Sequence, residues 1–123
     1  MLRIWIGMTA FLVGCGSPIV GEWEGVCTTR MENELYDYTV DLEIEDIKKG
    51  DLNGTGTIVN EENSSYSGPL DGTRDGNKIS MTVLLEDIDA KFTIDAQING
   101  REINGDCVVY GTQFGDVALE LDE

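Results

Sequence analysis

Apolar and polar residues alternate with a period of two along most of the chain from Gly21 onward. That period decides most of what such a chain can become. Successive side chains of a strand point to opposite faces, so strict alternation gives one dry face and one wet face. Tyr36, Tyr38, Val40, Leu42 and Ile44 fall on one side, and Asp37, Thr39, Asp41, Glu43 and Glu45 on the other. Ala90, Phe92, Ile94, Ala96 and Ile98 alternate with Lys91, Thr93, Asp95, Gln97 and Asn99. Ile79, Met81, Val83 and Leu85 repeat the pattern, as do Val117, Leu119 and Leu121. A wet face and a dry face on every strand is the signature of antiparallel sheet.

Turn residues cut this pattern into pieces. Asn99-Gly100 and Asp75-Gly76 read as two-residue hairpin turns, whose central residues need positive φ. Lys49 to Asp51, Asn60 to Asn63, Glu86 to Asp89 and Gly111 to Gly115 supply further connections. The result is eight strands, near 21–29, 36–46, 52–59, 64–70, 77–85, 89–98, 101–110 and 116–122. Short links between antiparallel neighbours imply an all-β up-and-down meander. Pairing the first strand with the last removes the exposed edges, so a small closed barrel is expected, with a flattened β-sandwich as the alternative.

A barrel of this size is filled by side chains or holds one small molecule. Gly25, Gly54, Gly56, Gly68 and Gly105 share register with inward residues. They either relieve crowding or leave room for a ligand. Trp23, Tyr36, Tyr38, Met81, Phe92 and Ile94 are the candidate lining for a small apolar ligand.

The first residues carry a different message. Arg3 precedes an uncharged apolar run, Ile4 to Val13, which ends in Leu12-Val13-Gly14-Cys15. The run has the length of a secretory signal and is too short to span a bilayer as a helix. The tetrapeptide resembles the lipobox of bacterial lipoproteins. That resemblance implies a signal peptide over 1–14, a diacylglycerol on the thiol of Cys15, a short tether over 15–20 and a folded domain over 21–123. One acyl chain holds a protein only marginally, at about 0.8 kcal/mol per buried methylene, whereas two or three hold it firmly. Gly16 at the position after the cysteine implies the outer membrane of a cell envelope, where the host has one.

With Cys15 lipidated, Cys27 and Cys107 remain, and two cysteines in an exported domain predict one disulfide. Both share register with inward residues. In a perfect meander, however, the first strand is not the neighbour of the seventh. The bridge therefore requires a flattened barrel, a link across the interior near one end, or a different strand count.

Composition narrows the partners. The chain has 24 acidic and 8 basic residues, no histidine and a formal charge of −16. Such a charge repels nucleic acid and anionic headgroups, and it attracts cations and cationic proteins. A well-solvated surface is its simplest meaning.

Gly21-Glu22-Trp23 resembles the Gly-x-Trp motif that opens the first strand of lipocalins and related calycin barrels. In those barrels the tryptophan closes one end and a basic residue near the last strand covers it; here Arg101 stands one strand early. The resemblance implies a ligand-binding barrel. Small β-barrel lipoproteins that inhibit lysozyme offer a second model, in which the acidic surface captures a basic protein; none of their motifs is present here. A structural envelope component without a small ligand is a third.

Catalytic constellations are not legible. Without histidine there is no Ser-His-Asp arrangement, and the carboxylates lie on outward positions or in turns. No enzyme activity and no cofactor are expected. Asp71, Asp75 and Asn77 resemble part of a calcium loop, but Arg74 interrupts them and the bidentate glutamate is missing, so no metal is assigned. Glu86, Asp87 and Asp89 form a second acidic turn.

Overall fold

The computed structural model describes residues 19–122, and the side chains of all of these but 46–48. Cys15 and the signal-like segment lie outside these residues. Eight strands follow one another: β1 (Gly21–Met31), β2 (Glu34–Lys48), β3 (Asp51–Val59), β4 (Ser65–Asp75), β5 (Lys78–Leu85), β6 (Ala90–Asn99), β7 (Glu102–Val109) and β8 (Gln113–Asp122). Each pairs antiparallel with the next, and β1 pairs with β8, so the meander closes into a barrel. Closure runs from Glu22 opposite Asp122 to Thr29 opposite Gly115, which excludes the sandwich.

The turns are tighter than the sequence suggests. β1 and β2 are joined by Glu32 and Asn33 alone, with φ of 50° and 71°. Asn99 pairs with Glu102, so the turn residues are Gly100 and Arg101, one position later than expected. Gly100 has φ 64°, which suits a hairpin turn with glycine at its first central position. The same shift holds at Gly76 (φ 61°), because Asp75 pairs with Lys78. β4 thus continues through Asp71 and Asp75, and the partial resemblance to a calcium loop falls on a regular strand.

Both described ends of the chain meet at one end of the barrel, beside the β2–β3, β4–β5 and β6–β7 turns. Ile19, assigned to the tether by sequence, is 1% exposed and belongs to the core. Its carbonyl accepts the indole N–H of Trp23 at 2.8 Å. The segment before β1 therefore plugs this end. Arg101 donates from Nη2 to the Leu121 carbonyl at 2.8 Å, and Leu121 N–H donates back to the Arg101 carbonyl at 2.9 Å. This pair holds the end of β8 to the β6–β7 turn.

The glycines explain how eight strands coil so tightly. A Cβ on Gly54 would lie 1.8 Å from the Glu43 carbonyl oxygen, and one on Gly68 would lie 1.7 Å from that of Leu84. Neighbouring backbone occupies the place of a side chain at these corners. Gly56 differs, since only the side chains of Val83 and Leu42 crowd it.

Cys27 and Cys107 form a disulfide between β1 and β7, with Cα atoms 6.3 Å apart. β8 lies between them and places Val117 opposite Cys27 and Gly115 opposite Cys107. Strands two apart in a flat sheet are separated by roughly 9.5 Å. Here Gly115 lets the sheet fold sharply, because a Cβ there would sit 2.0 Å from the Thr28 carbonyl oxygen. Curvature answers the difficulty raised by the strand count, with all eight strands retained.

Candidate functional site

Trp23, Met81, Phe92 and Ile94 are 0–1% exposed. They belong to one continuous hydrophobic core. These four candidate lining residues are packed core rather than a cavity wall. The reason is volume: Leu42, Leu52, Ile58, Ile79, Leu85 and Ile98 fill the rest of the lumen. Gly25, Gly54, Gly68 and Gly105 serve close strand approach, and the space beside Gly56 is taken by the side chains of Val83 and Leu42.

Tyr36 and Tyr38 lie elsewhere, at the end opposite Ile19 and Asp122. Tyr38, Tyr66 and Tyr110 meet there edge to face, with ring centroids 5.9 Å and 6.4 Å apart. The Tyr38 hydroxyl donates to Gln113 Oε1 at 2.5 Å. The buried Thr29 hydroxyl lies 3.4 Å from the same oxygen. Tyr36 is half-buried and its hydroxyl bonds Glu34 at 3.3 Å. Burial raises the Tyr38 phenol above its usual range, with Tyr110 adding to it and the bond to Gln113 opposing. Burial raises Tyr110 likewise, opposed by a hydrogen bond with Asn60. The Glu34 charge raises Tyr36. This end is an aromatic rim with polar tips.

The outer wall carries a second arrangement, which sequence reading missed. Cross-strand register sets Glu102, Glu120, Glu24 and Asp41 side by side across β7, β8, β1 and β2. Asp122, Glu22 and Glu43 form a parallel row, and Asp95, Asp106 and Asp116 another. Like charges directly opposite one another are destabilising. Their repulsion is visible in the carboxyls. Asp41 foremost pushes Glu22 above the ordinary carboxylate range, and a hydrogen bond with Asp122 does most to raise Glu24. The β3–β4 wall has no such rows: Thr57 stands beside Ser67 and Thr55 beside Pro69, and Asp51 and Asp71 face Thr73 and Asn53. A wall of carboxylates is also the inverse of a membrane-spanning barrel, whose lipid-facing band is apolar.

Between the acidic rows, Asn104, Ala118, Val26 and Thr39 make a lower row. A groove of about 650 Å³ follows it. Gly25, Val26 and Ala118 lie on its floor, and Glu24, Glu102, Glu120 and Asp122 stand around it. Alternation gives each of these residues except Gly25 an outward position. Only register makes them neighbours.

No family model matches the chain, and no curated protein matches it. Among solved structures it is similar to a de novo designed fluorescence-activating β-barrel, with a TM-score of 0.69 and 9% sequence identity. The match covers 85% of this chain and 94% of the designed one. At that identity the likeness is one of fold.

Proposed function

We propose that the chain is a lipid-anchored, non-enzymatic binding barrel of the bacterial cell envelope, which binds with its surface and its tyrosine rim rather than its lumen. The observation that carries this reading is the burial of Trp23, Met81, Phe92 and Ile94, which leaves the lumen no vacancy. A small ligand is accordingly placed at the tyrosine end, where Tyr36, Tyr66 and Tyr110 keep partial exposure. Anchoring rests on the lipobox resemblance and agrees with the chain path. Ile19 sits at the plugged end, four residues after Cys15, so the anchor lies within about 14 Å of that end. The barrel then stands with the tyrosine rim away from the bilayer.

Expression of the full chain in a bacterium fed labelled palmitate tests the anchor. The wild type is expected to take up label and pellet with membranes, and Cys15→Ser to do neither. An unlabelled wild type removes the anchor from the reading. Native mass spectrometry of the gently purified protein tests the small ligand: an added mass that Tyr36→Ala and Tyr66→Ala abolish supports the rim.

A second reading, capture of a cationic protein, is favoured by the carboxylate rows on the β7–β8–β1–β2 wall.

A further inference from the structure

The groove between the acidic rows has a composition that specifies its occupant. Its floor is backbone and small apolar surface at Gly25, Val26 and Ala118, and its sides are the carboxylates of Glu24, Glu102, Glu120 and Asp122. Val26 is 41% exposed although it stands amid charged rows. A small apolar floor flanked by carboxylates fits a partner that is apolar along its length and positively charged at its tips. Lysine and arginine side chains have that form: an aliphatic stem and a charged head. Laid across Val26 and Ala118, such a stem covers apolar surface while its head reaches paired carboxylates, where charge-assisted bonds are strongest. No lysine or arginine is among the residues that line this groove.

We infer that this groove is the docking site for a lysine- or arginine-rich segment of a basic protein. The inference rests on the second reading above and assigns it a place and a chemistry. The partner relieves a repulsion that the fold otherwise carries. Asp122 beside Glu24 raises the pKa of the Glu24 carboxyl; a cation between the two side chains offsets their repulsion.

The test uses the full chain, purified in a non-ionic detergent, and fluorescence anisotropy of a labelled oligolysine at low salt. Wild type is expected to bind, with affinity falling as salt rises. Combined Glu24→Gln, Glu102→Gln, Glu120→Gln and Asp122→Asn should weaken binding by more than about tenfold. Combined Asp51→Asn, Glu62→Gln, Asp71→Asn and Asp75→Asn removes as much charge from elsewhere and should weaken it by less than about threefold. Val26→Lys, which places a cation on the groove floor, should reproduce the loss without touching the carboxylates. Removing like charges should leave the groove variant at least as heat-stable as wild type, so its loss of binding is loss of the site. Equal losses in the two charge variants overturn the proposal, because net charge alone then suffices. So does displacement of the peptide by calcium at constant ionic strength, which makes the groove a metal site. A wild type that is dimeric in light scattering beside a monomeric groove variant assigns it to a second copy instead. Cys15→Ser should bind the peptide unchanged, so failure of the anchor and failure of the groove are separate results.

Discussion

The side chain that joins the N-terminal segment to the barrel is Trp23. Its N–H is held by the carbonyl of Ile19, and both residues are buried. Trp23→Phe keeps most of the packing but orphans that carbonyl, at a cost of about 1–3 kcal/mol in urea unfolding. The glycines allow a sharper comparison. Gly54→Ala drives a methyl into the Glu43 carbonyl and should cost more than about 2 kcal/mol, because backbone must move. Gly56→Ala meets the side chains of Val83 and Leu42, which can turn aside, and should cost less. Equal melting temperatures for the two variants would show that strand approach is not what these glycines serve. Sequence placed both glycines inward; it could not say that one faces backbone and the other side chains.

At the level of strands, the Cys27–Cys107 bridge spans β8 and closes a loop between residues separated by 80 positions. Its reduction should destabilise the barrel by roughly 2–4 kcal/mol, read as a shift of the urea midpoint with and without reductant. The strand-to-strand contact it secures is the one most distant in sequence, β1 with β8 and its neighbour β7. The tyrosine cluster depends on three different connections, since Tyr38, Tyr66 and Tyr110 come from β2, β4 and the β7–β8 turn. Two of its members had no place in the sequence reading. Tyr66 sits in the register of inward residues and could have been found by that signal. Tyr110, with φ 60° in a turn, has no periodicity to betray it.

Across the whole molecule, carboxylates stand in adjacent rows on the β7–β8–β1–β2 wall, and stability should follow pH accordingly. Glu22 and Glu24 have pKa values raised in the folded state. A carboxyl raised on folding binds its proton more tightly when folded. Between the unfolded and folded values the native state holds more protons, so stability falls as pH rises through that window. Denaturant midpoints should therefore increase on mild acidification from neutral pH. Added salt at neutral pH should also raise them, by screening the rows. A midpoint that is flat in both pH and salt would mean that the rows do not repel at a measurable level.

The eight strands, their inward and outward faces and the bias toward closure were legible because alternation is local: the direction of each Cβ follows from its strand backbone. Register is not local. It is fixed by turn residues, as Gly100 and Arg101 show by shifting a hairpin one place, and by closure between β1 and β8. Hence the packed lumen, the chord of the disulfide, the tyrosine rim and the adjacency of Glu102, Glu120, Glu24 and Asp41 belong to the tertiary structure. Each is a relation between residues on different strands, and how tightly a small barrel coils decides which of them meet.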